Sequence, residues 1–337
     1  MRWYIDSGPE GDIVISSRVR LARNIKGYPF ANRLTDAGGK EVLERCKEAA
    51  QPLRLKYITM DETPAIKRQM LLERHLISPE MLVATGNKAL LLSEDEQISI
   101  LLCEEDHIRI QCMSSGLNLH EMYQLADKVD DVLEERLDYS FNPQFGYTTC
   151  CPTNTGTGLR ASCMLHLPAI TSTGYIDTLL ATVGKLGMTV RGVYGEGTRA
   201  KGNMYQLSNQ ITLGISEQDS IKRLEELVKM IAEKERSIRA SMKKENGDKL
   251  ADMIWRSYGL LTNARLLTSE EAYQLISDIR LGINLGVITN LPIETLNELT
   301  IIAGPAHIAE KCVENTRLNR DKLRALVVRE KLNSRKD

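Results

Sequence analysis

Long hydrophobic runs, zinc-type cysteine spacing and a basic excess are all missing from this chain of 337 residues. No stretch reaches the ~18 apolar residues of a membrane-spanning helix, and the first residues lack the charged and then apolar pattern of a secretory leader. The net charge of −1 argues against direct binding of nucleic acid. A hydrophobic fraction of 42% with 26% charged residues is ordinary for a globular protein. We therefore expect a sizeable core and no membrane segment.

The seven cysteines indicate a reducing compartment, because their number is odd and they lack the spacing of a disulfide framework. We therefore expect a cytoplasmic protein. No CxxC pair occurs, Cys150 and Cys151 are adjacent, and the five histidines do not fall at ligand spacing. These patterns predict no metal site built from protein side chains.

Strand and helix patterns are mixed as far as about residue 214. The strand-like runs are Ala89–Leu92, Ile98–Cys103, Ile108–Met113, Leu159–Leu167, Thr189–Tyr194 and Met204–Leu213. Several are joined by short, turn-like connections, which favour antiparallel pairing. Amphipathic helices are predicted over Asn118–Leu137 and Tyr175–Leu186. This part of the chain is predicted to be an α+β domain.

The character of the chain changes after Gly214. Ser216 is a predicted N-cap, and a long charged helix with one apolar face is predicted to follow it. Further helices are predicted around residues 250–261, 269–281, 293–302 and 317–332, with no strand signal. We place a domain boundary near residue 215, between an α+β domain of residues 1–215 and an all-helical domain of residues 216–337.

The end of the chain is basic. From residue 311 onward it carries nine Lys or Arg against four Asp or Glu. A solvated helical face and a surface for an acidic or phosphorylated partner both remain open.

Five arginines lie in or beside strand-like runs or in the segment near the start: Arg18, Arg20, Arg109, Arg160 and Arg191. Guanidinium groups match phosphate oxygens in a bidentate way and stay charged at working pH. Phosphoryl transfer needs this neutralisation of phosphate charge and little covalent chemistry from the protein. A single arginine is usually a surface group, so the prediction depends on the placement of the five beside acidic and sulfur groups.

Glu105, Glu196 and the thiol of Cys151 are suited to bind a planar cation such as a guanidinium. A protonated guanidinium nitrogen is a poor nucleophile, so a carboxylate that orients it and removes a proton would solve that problem. A thiolate would add a third anion. Each residue also has an ordinary structural explanation, as a turn acid, a loop carboxylate or a buried thiol.

The segment Asn154-Thr155-Gly156-Thr157-Gly158 is rich in glycine. Its backbone N–H groups can approach an anion, although a generic turn explains it equally well. It is not a Walker A loop, because no GK[ST] follows.

Four motifs in order carry a family resemblance. The strings SSRVRLARN, EEDHIRI, CPTNTGTGLRAS, and RGVYGEGT followed by YQLSNQITLG resemble the catalytic domain of the phosphagen (guanidino) kinases over residues 11–214. The whole chain resembles, more closely, the bacterial protein arginine kinases that work with the Clp stress proteases. The resemblance implies an antiparallel sheet flanked by helices, as in glutamine synthetase, followed by the helical domain.

The resemblance also implies residue roles. The five arginines named above match the family's arginines for the phosphates of ATP, Glu105 and Glu196 match its guanidinium-binding carboxylates, and Cys151 matches its active-site cysteine. Mg²⁺ is expected to arrive with ATP, held mainly by phosphates and water. In the helical domain, Arg320 and Asp321 resemble a segment that binds phosphoarginine.

The chain departs from the small-molecule guanidino kinases in two ways. Those enzymes carry a helical domain before the SSRVR-like strand, whereas fifteen residues precede it here. We therefore expect an acceptor site open enough for an arginine on a protein. In the glutamate loop, Tyr194 and Gly197 stand where those enzymes have arginine and histidine, so their closure geometry is not carried over.

The expected activity is therefore ATP-dependent phosphorylation of arginine in proteins. The resemblance implies partners as well: protein substrates with exposed arginines, a stress-gene repressor among them, a zinc-binding activator protein and a Clp ATPase or protease. A homodimer through the helical domain is possible, although packing within the chain satisfies the same apolar pattern. Two alternatives stay open, namely a small-molecule guanidino kinase and a non-catalytic adaptor that binds phosphoarginine.

Overall fold

The computed structural model describes residues 2–83, 86–192, 200–314 and 319–333. The strands in these ranges are β1 (Val14–Arg23), β2 (Lys56–Thr59), β3 (Ala89–Leu92), β4 (Ile98–Leu102), β5 (Ile108–Ser115), β6 (Phe141–Asn142), β7 (Gly146–Tyr147), β8 (Leu159–His166), β9 (Met188–Gly192) and β10 (Met204–Asn209). The helices are α1 (Asp36–Ala49), α2 (Ala65–Glu73), α3 (Leu119–Glu134), α4 (Pro168–Ser172), α5 (Ile176–Lys185), α6 (Glu217–Asn263), α7 (Ser269–Asn284), α8 (Ile293–Ile302), α9 (Pro305–Glu314) and α10 (Arg320–Asn333).

Eight of these strands form one sheet in the order β2-β3-β4-β5-β1-β8-β10-β9, and β6 pairs with β7 in a separate hairpin. The pairs β2–β3, β3–β4, β4–β5 and β1–β5 are antiparallel. Helix α3 packs on β5 and on α1. This architecture confirms the predicted α+β class with helices on an antiparallel sheet and helices after it.

Strands β1 and β5 have one apolar face and one charged face, because successive side chains of a strand point to opposite sides of the sheet. Val19 and Leu21 of β1 and Ile108 and Ile110 of β5 are buried. Arg18 and Arg20 of β1 and Arg109 of β5 occupy the alternate positions and stay partly accessible, whereas Arg23 of β1 is buried and pairs with Asp130. One face of these strands therefore belongs to the core, and the other carries the predicted site.

Side-chain hydrogen bonds cap the start of several helices. Thr35 accepts a hydrogen bond from the backbone N–H of Gly38 before α1, and Thr268 accepts one from Glu271 before α7. Ser216 accepts one from Asp219 at 3.1 Å, which confirms the predicted N-cap of α6.

Spatial contacts divide the chain into two compact units. The first comprises the described residues of Met1–Trp3, Ser16–Cys163 and Ser208–Glu226, and the second those of Tyr4–Ile15, Met164–Leu207 and Leu227–Asp337. The second unit has an aliphatic core contributed by α6, α7, α8 and α10. The boundary placed near residue 215 stays a prediction.

The structure differs from the sequence prediction in several element bounds. α6 runs through the gap predicted before residue 250, with a kink at Asn246, whose φ of −137° is not helical. β10 ends at Asn209, four residues before the predicted end. Thr212, which follows it, instead donates hydrogen bonds to the loop carbonyls of Thr153 and Thr155. Helices α1, α2, α4 and α9 and strands β2, β6 and β7 were not predicted. Among the described residues, no helix is both long and apolar enough to cross a bilayer.

Candidate active site

Three of the predicted arginines share the accessible face of β1 and β5. Arg18 and Arg20 are two residues apart on β1, and the register of β1 with β5 places Ala22 opposite Arg109. Directly opposed residues of an antiparallel pair lie on the same face, so Arg109 joins the two arginines of β1. Arg160 lies on β8, the next strand to β1 in the sheet.

The four guanidinium groups influence one another electrostatically. Burial lowers the pKa of Arg18 to about 10, and the charges of Arg160 and Arg109 contribute to this shift. The pKa of Arg20 is also lowered, by burial and then by the charges of Arg18, Arg109 and Arg160. A pKa of about 10 still leaves Arg18 charged at neutral pH. The first unit therefore concentrates positive charge on one face of its strands.

Uncharged polar neighbours help to position Arg18 in this cluster. Arg18 donates to Oγ of Ser162 at 3.4 Å and to Oε1 of Gln111 at 3.5 Å. Gln111 is held in turn by the backbone carbonyl of His75 and the hydroxyl of Ser99, both at 2.8 Å. These hydrogen bonds orient the guanidinium of Arg18.

A polyphosphate fits this cluster chemically. The Nε of Arg20 is buried without a hydrogen-bond partner in the described part of the chain. A buried donor of this kind is costly unless an acceptor reaches it. Phosphate oxygens would supply both the acceptor and the negative charge.

The turn between β4 and β5 carries two glutamates bound to one arginine. Arg109 Nη1 lies 2.8 Å from Oε2 of Glu104, and its Nη2 donates to Oε2 of Glu105 at 2.7 Å. The side chain of Glu104 is 1% exposed and also accepts a hydrogen bond from Ser78, whereas that of Glu105 is 36% exposed. Glu105 is therefore the accessible carboxylate of the pair, next to the arginine cluster.

Asp106 connects this turn to the cysteine loop. Its carboxylate is buried, and Oδ1 accepts hydrogen bonds from Nδ2 of Asn24 and from the backbone N–H of Cys150, both at 2.7 Å. Asn24 in turn accepts from the backbone N–H of His107 at 3.0 Å. One buried side chain thus fixes the start of the Cys150-Cys151 segment next to the glutamate turn.

The two adjacent thiols have different surroundings. Partial burial raises the pKa of the Cys150 thiol, and the carboxylates of Asp106 and Glu105 raise it further. Glu105 and the cysteine loop are therefore neighbours. The Sγ of Cys151 lies 3.1 Å from Oγ1 of Thr153.

Two glycines in the loop after Cys151 leave no room for a larger side chain. Gly156 has a φ of +117°, and a Cβ there would meet the carbonyl oxygen of Thr212 at 2.1 Å. Gly158 has a φ of +67°, and a Cβ there would meet the carbonyl oxygen of Ala22 at 2.6 Å. The hydroxyl of Thr212 also donates to the loop carbonyls of Thr153 and Thr155. These close approaches hold the loop against β1 and the segment after β10.

Four predicted site residues remain, namely Arg191, Glu196, Arg320 and Asp321. Arg191 belongs to the second unit, where it is exposed on β9. Glu196 lies outside the described residues. Arg320 is exposed at the start of α10, and the carboxylate of Asp321 forms an ion pair with Arg324 at 2.8 Å.

Sequence reasoning missed the residues that position the site. Asp106, Asn24, Asn209 and Thr212 bind backbone groups far away in the chain, and Asn209 accepts from Ala161 at 2.8 Å. All four lie inside the motifs quoted above. That position is the sequence signal that could have identified them. In the described ranges, no group of three or more potential metal ligands occurs.

Family models cover most of the chain. Residues 39–238 match the C-terminal catalytic domain of ATP:guanido phosphotransferases. Residues 247–337 match the protein-arginine kinase McsB C-terminal domain.

Solved structures of guanidino kinases have the same fold. The duplicated taurocyamine kinase from Schistosoma mansoni, with bound transition-state-analogue components, matches with a TM-score of 0.63 and 25% identity. The match covers 73% of this chain and 37% of that one. A lombricine kinase matches with a TM-score of 0.62 and 22% identity, over 72% of each chain. The fold and the catalytic-domain match together define a phosphotransferase.

Curated relatives extend over nearly the full length. The protein-arginine kinase of Desulforamulus reducens is 47% identical over 345 residues, which cover 99% of this chain and 96% of the relative. That of Moorella thermoacetica is 45% identical, over 98% of this chain and 97% of the relative. The chain belongs to the protein-arginine kinase family.

Proposed function

We propose that this enzyme transfers the γ-phosphoryl group of ATP to a guanidinium nitrogen of arginine in a protein substrate. The observation that carries the proposal is the position of Arg109. Its charge acts on Arg18 and Arg20, and its own guanidinium binds Glu105 at 2.7 Å. Cations suited to phosphate and a carboxylate suited to an acceptor guanidinium therefore lie next to each other.

In the proposed mechanism, the arginine cluster binds and neutralises the phosphates of ATP. Glu105 orients the acceptor guanidinium through its accessible carboxylate, with Glu196 as the second carboxylate that the family resemblance implies. As the N–P bond forms and the bond from the γ-phosphorus to ADP breaks, one of these carboxylates takes the proton that the nitrogen loses. Cys151 adds a sulfur ligand to the same cation.

Mg²⁺ would contribute by neutralising phosphate charge. The described residues offer no cluster of three or more ligands for it, so phosphate oxygens and water are the expected ligands. Oxygen donors of this kind suit Mg²⁺, which keeps much of its water shell.

The test is a phosphotransfer assay with two acceptors. The chain is incubated with MgATP and either casein or free arginine, and phosphoarginine is detected by mass spectrometry without acid exposure. Product on casein alone supports the proposal. Product on free arginine alone indicates a small-molecule guanidino kinase, and binding without product indicates an adaptor.

The cellular role forms the second part of the proposal. The family resemblance supports cytoplasmic marking of damaged proteins and of a stress-gene repressor for Clp proteolysis, together with a zinc-binding activator protein. Degradation of a phosphorylated repressor by Clp protease, in extracts with and without this chain, tests that role. Equal degradation in both extracts would contradict it.

The helical domain is proposed to bind phosphoarginine through Arg320 and Asp321. Asp321 already pairs with Arg324, so a guanidinium ligand would have to share or displace that contact. Arg320→Ala should weaken binding of a phosphoarginine peptide, with no change for the same peptide carrying arginine. Unchanged phosphopeptide binding would remove Arg320 from the site.

Self-association is the last part of the proposal. The second unit exposes several large apolar side chains, which supports a homodimer. They are Met253, Trp255, Leu260 and Leu266. Sedimentation of the wild type and of a Trp255→Ser, Leu260→Ser variant tests it.

A further inference from the structure

Two of the three phenylalanines of this chain are exposed on one small hairpin. Phe141 on β6 is 56% exposed, and Phe145 in the turn before β7 is 46% exposed. Exposed apolar side chains grouped on one surface element mark candidate interaction sites. The core does not account for these two side chains.

The hairpin is held in a defined conformation. The rings of Phe141 and Tyr147 meet edge to face with centroids 5.2 Å apart. The guanidinium carbon of Arg23 lies 3.6 Å from the centroid of Tyr147. In the turn, Oδ1 of Asn142 accepts from the backbone N–H of Phe145 at 3.1 Å. The surface is therefore preformed, which lowers the entropy cost of binding a partner.

A cavity of about 680 Å³ lies beside the hairpin and is mainly acidic and aromatic. Its lining includes Glu134, Glu135, Asp138, Tyr139, Phe141 and Tyr147. Arg136 also lines it and donates to the carbonyl of Glu48. Asp138 pairs with Lys26 at 3.5 Å, with both side chains exposed. Glu134, Glu135 and Asp138 outnumber the cations Arg136 and Lys26 by one, so the cavity keeps a negative excess.

The position of two of these acids is unfavourable in the isolated protein. Glu134 is the last residue of α3, Glu135 is its C-cap, and no basic residue occupies the last turn. The carboxyl end of a helix carries partial negative charge, so it favours cations and disfavours carboxylates. A cationic ligand would relieve this repulsion, and the exposed rings would offer it cation–π and apolar contacts.

The hairpin is bonded directly to the candidate active site. The backbone N–H of Tyr147 donates to the carbonyl of Gly156 at 2.8 Å, and the N–H of Gly156 donates back at 3.3 Å. The chain then continues from Tyr147 into Cys150 and Cys151. A segment bound at the hairpin would thus contact the same loop assembly that carries Cys151.

We propose that the hairpin Phe141–Tyr147 and the acidic cavity beside it form a docking surface for a basic and apolar segment of the polypeptide substrate, flanking the arginine that is phosphorylated. This proposal rests on the proposed function and names the region of the substrate that it recognises. A polyanion is disfavoured by the acidic rim. A second copy of the chain in a twofold contact is disfavoured because it would set these same acids against each other.

The test compares two substrates. The first is a 20-residue peptide with one central arginine between leucine and lysine residues, which reaches about 65 Å when extended. The second is an arginine tripeptide capped at both ends, with glycine on each side. The variants are Phe141→Ser with Phe145→Ser, and Glu134→Gln with Glu135→Gln. Matched controls are Met230→Ser and the pair Glu233→Gln with Glu245→Gln, which change exposed residues of the second unit.

Both hairpin variants should raise the KM for the long peptide by about tenfold or more, with kcat and the kinetics of the tripeptide unchanged. Both controls should behave like the wild type. An unchanged KM, or an equal loss on both peptides, would overturn the proposal. So would a wild-type dimer that the hairpin substitutions convert to monomer, because a second copy would then cover the surface.

Failure of the proposed function is separable from failure of this inference. If the wild type phosphorylates no arginine, the proposed function fails. Fluorescence anisotropy of the labelled long peptide then tests the docking surface alone. Equal affinity of the wild type and the hairpin variants would contradict it, and a tenfold loss in both variants would support it.

Discussion

The carboxylate of Asp106 accepts a hydrogen bond from the backbone N–H of Cys150, with 2.7 Å between Oδ1 and the nitrogen. The two residues are 44 positions apart in the chain. The bond joins the turn that carries Glu105 to the loop that carries Cys151. Because the carboxylate is charged and buried, the hydrogen bond is stronger than a neutral one would be.

Asp106→Ala is expected to lower kcat for arginine phosphorylation by about tenfold or more, since the cysteine loop would lose its anchor. Asp106→Asn keeps an oxygen at the same place and should retain most of the activity. Nucleotide affinity, measured by calorimetry, should be unchanged in both variants, because Oδ1 of Asp106 binds Asn24 and the cysteine loop. A normal kcat for Asp106→Ala would show that the contact does not position the site.

The two cysteines are expected to differ. Cys150→Ala should change activity by no more than about threefold, because the site uses the backbone of Cys150 and its thiol has a raised pKa. Cys151→Ala should lower kcat by about tenfold or more. Iodoacetamide labelling near neutral pH, followed by peptide mapping, should modify Cys151 faster than Cys150. The reverse order of reactivity would reassign the thiol.

Arg20→Met should separate stability from nucleotide binding. Removing one of four mutually repelling cations is expected to raise the thermal midpoint of the free protein, by about 2–4 °C for each kcal/mol gained. The same change should abolish most of the stabilisation by ATP, which otherwise grows with ligand concentration. Arg256→Met, at a side chain 77% exposed on α6, serves as the control and should change neither quantity. If ATP raises the thermal midpoint of Arg20→Met as much as that of the wild type, Arg20 does not bind phosphate. Unchanged nucleotide affinity in Arg160→Ala would likewise contradict a phosphate-binding role for Arg160.

His75 should make the fold sensitive to mild acid. Burial and the charge of Arg18 lower the pKa of His75 to about 4, whereas an unfolded histidine has a pKa of about 6.5. As the pH falls from 6.5 towards 4, His75 binds a proton in the unfolded state but not in the folded state. The free energy of unfolding therefore decreases. Linkage gives a loss of about 2 kcal/mol between pH 7 and pH 5 from this residue.

Urea unfolding at the two pH values measures that loss. The difference between pH 7 and pH 5 should shrink by about 2 kcal/mol in His75→Gln. It should stay as in the wild type in His120→Gln, at a histidine 54% exposed. Equal pH dependence in all three proteins would contradict the burial of a neutral His75.

Local sequence patterns predicted the central elements well, because they depend on short-range periodicity. β3 and α8 have the predicted bounds, Ala89–Leu92 and residues 293–302. The placement of Arg18, Arg20 and Arg109 on one face follows from strand alternation once β1 pairs with β5. α1 was missed because Gly38 and Gly39 in its first turn weaken the helix signal.

Long-range contacts could not be predicted from the same patterns. The bond from Asp106 to Cys150 and the packing of Gly156 against Thr212 join segments more than 40 residues apart, and nothing in local spacing reveals which atoms meet. The exposure of Phe141 was also unpredictable, since an isolated phenylalanine normally indicates a core position. The roles of Glu196, Arg191 and the Arg320–Asp321 pair remain predictions.

The most direct test of the account is phosphoarginine formation on casein by Glu105→Gln, compared with the wild type and with Glu44→Gln, which changes an exposed carboxylate of α1. The account predicts that Glu105→Gln loses activity by about 100-fold or more while it still binds ATP, and that Glu44→Gln matches the wild type. Residual activity in Glu105→Gln above about a tenth of the wild-type rate, at normal ATP affinity, would contradict the central claim that this carboxylate binds the acceptor guanidinium.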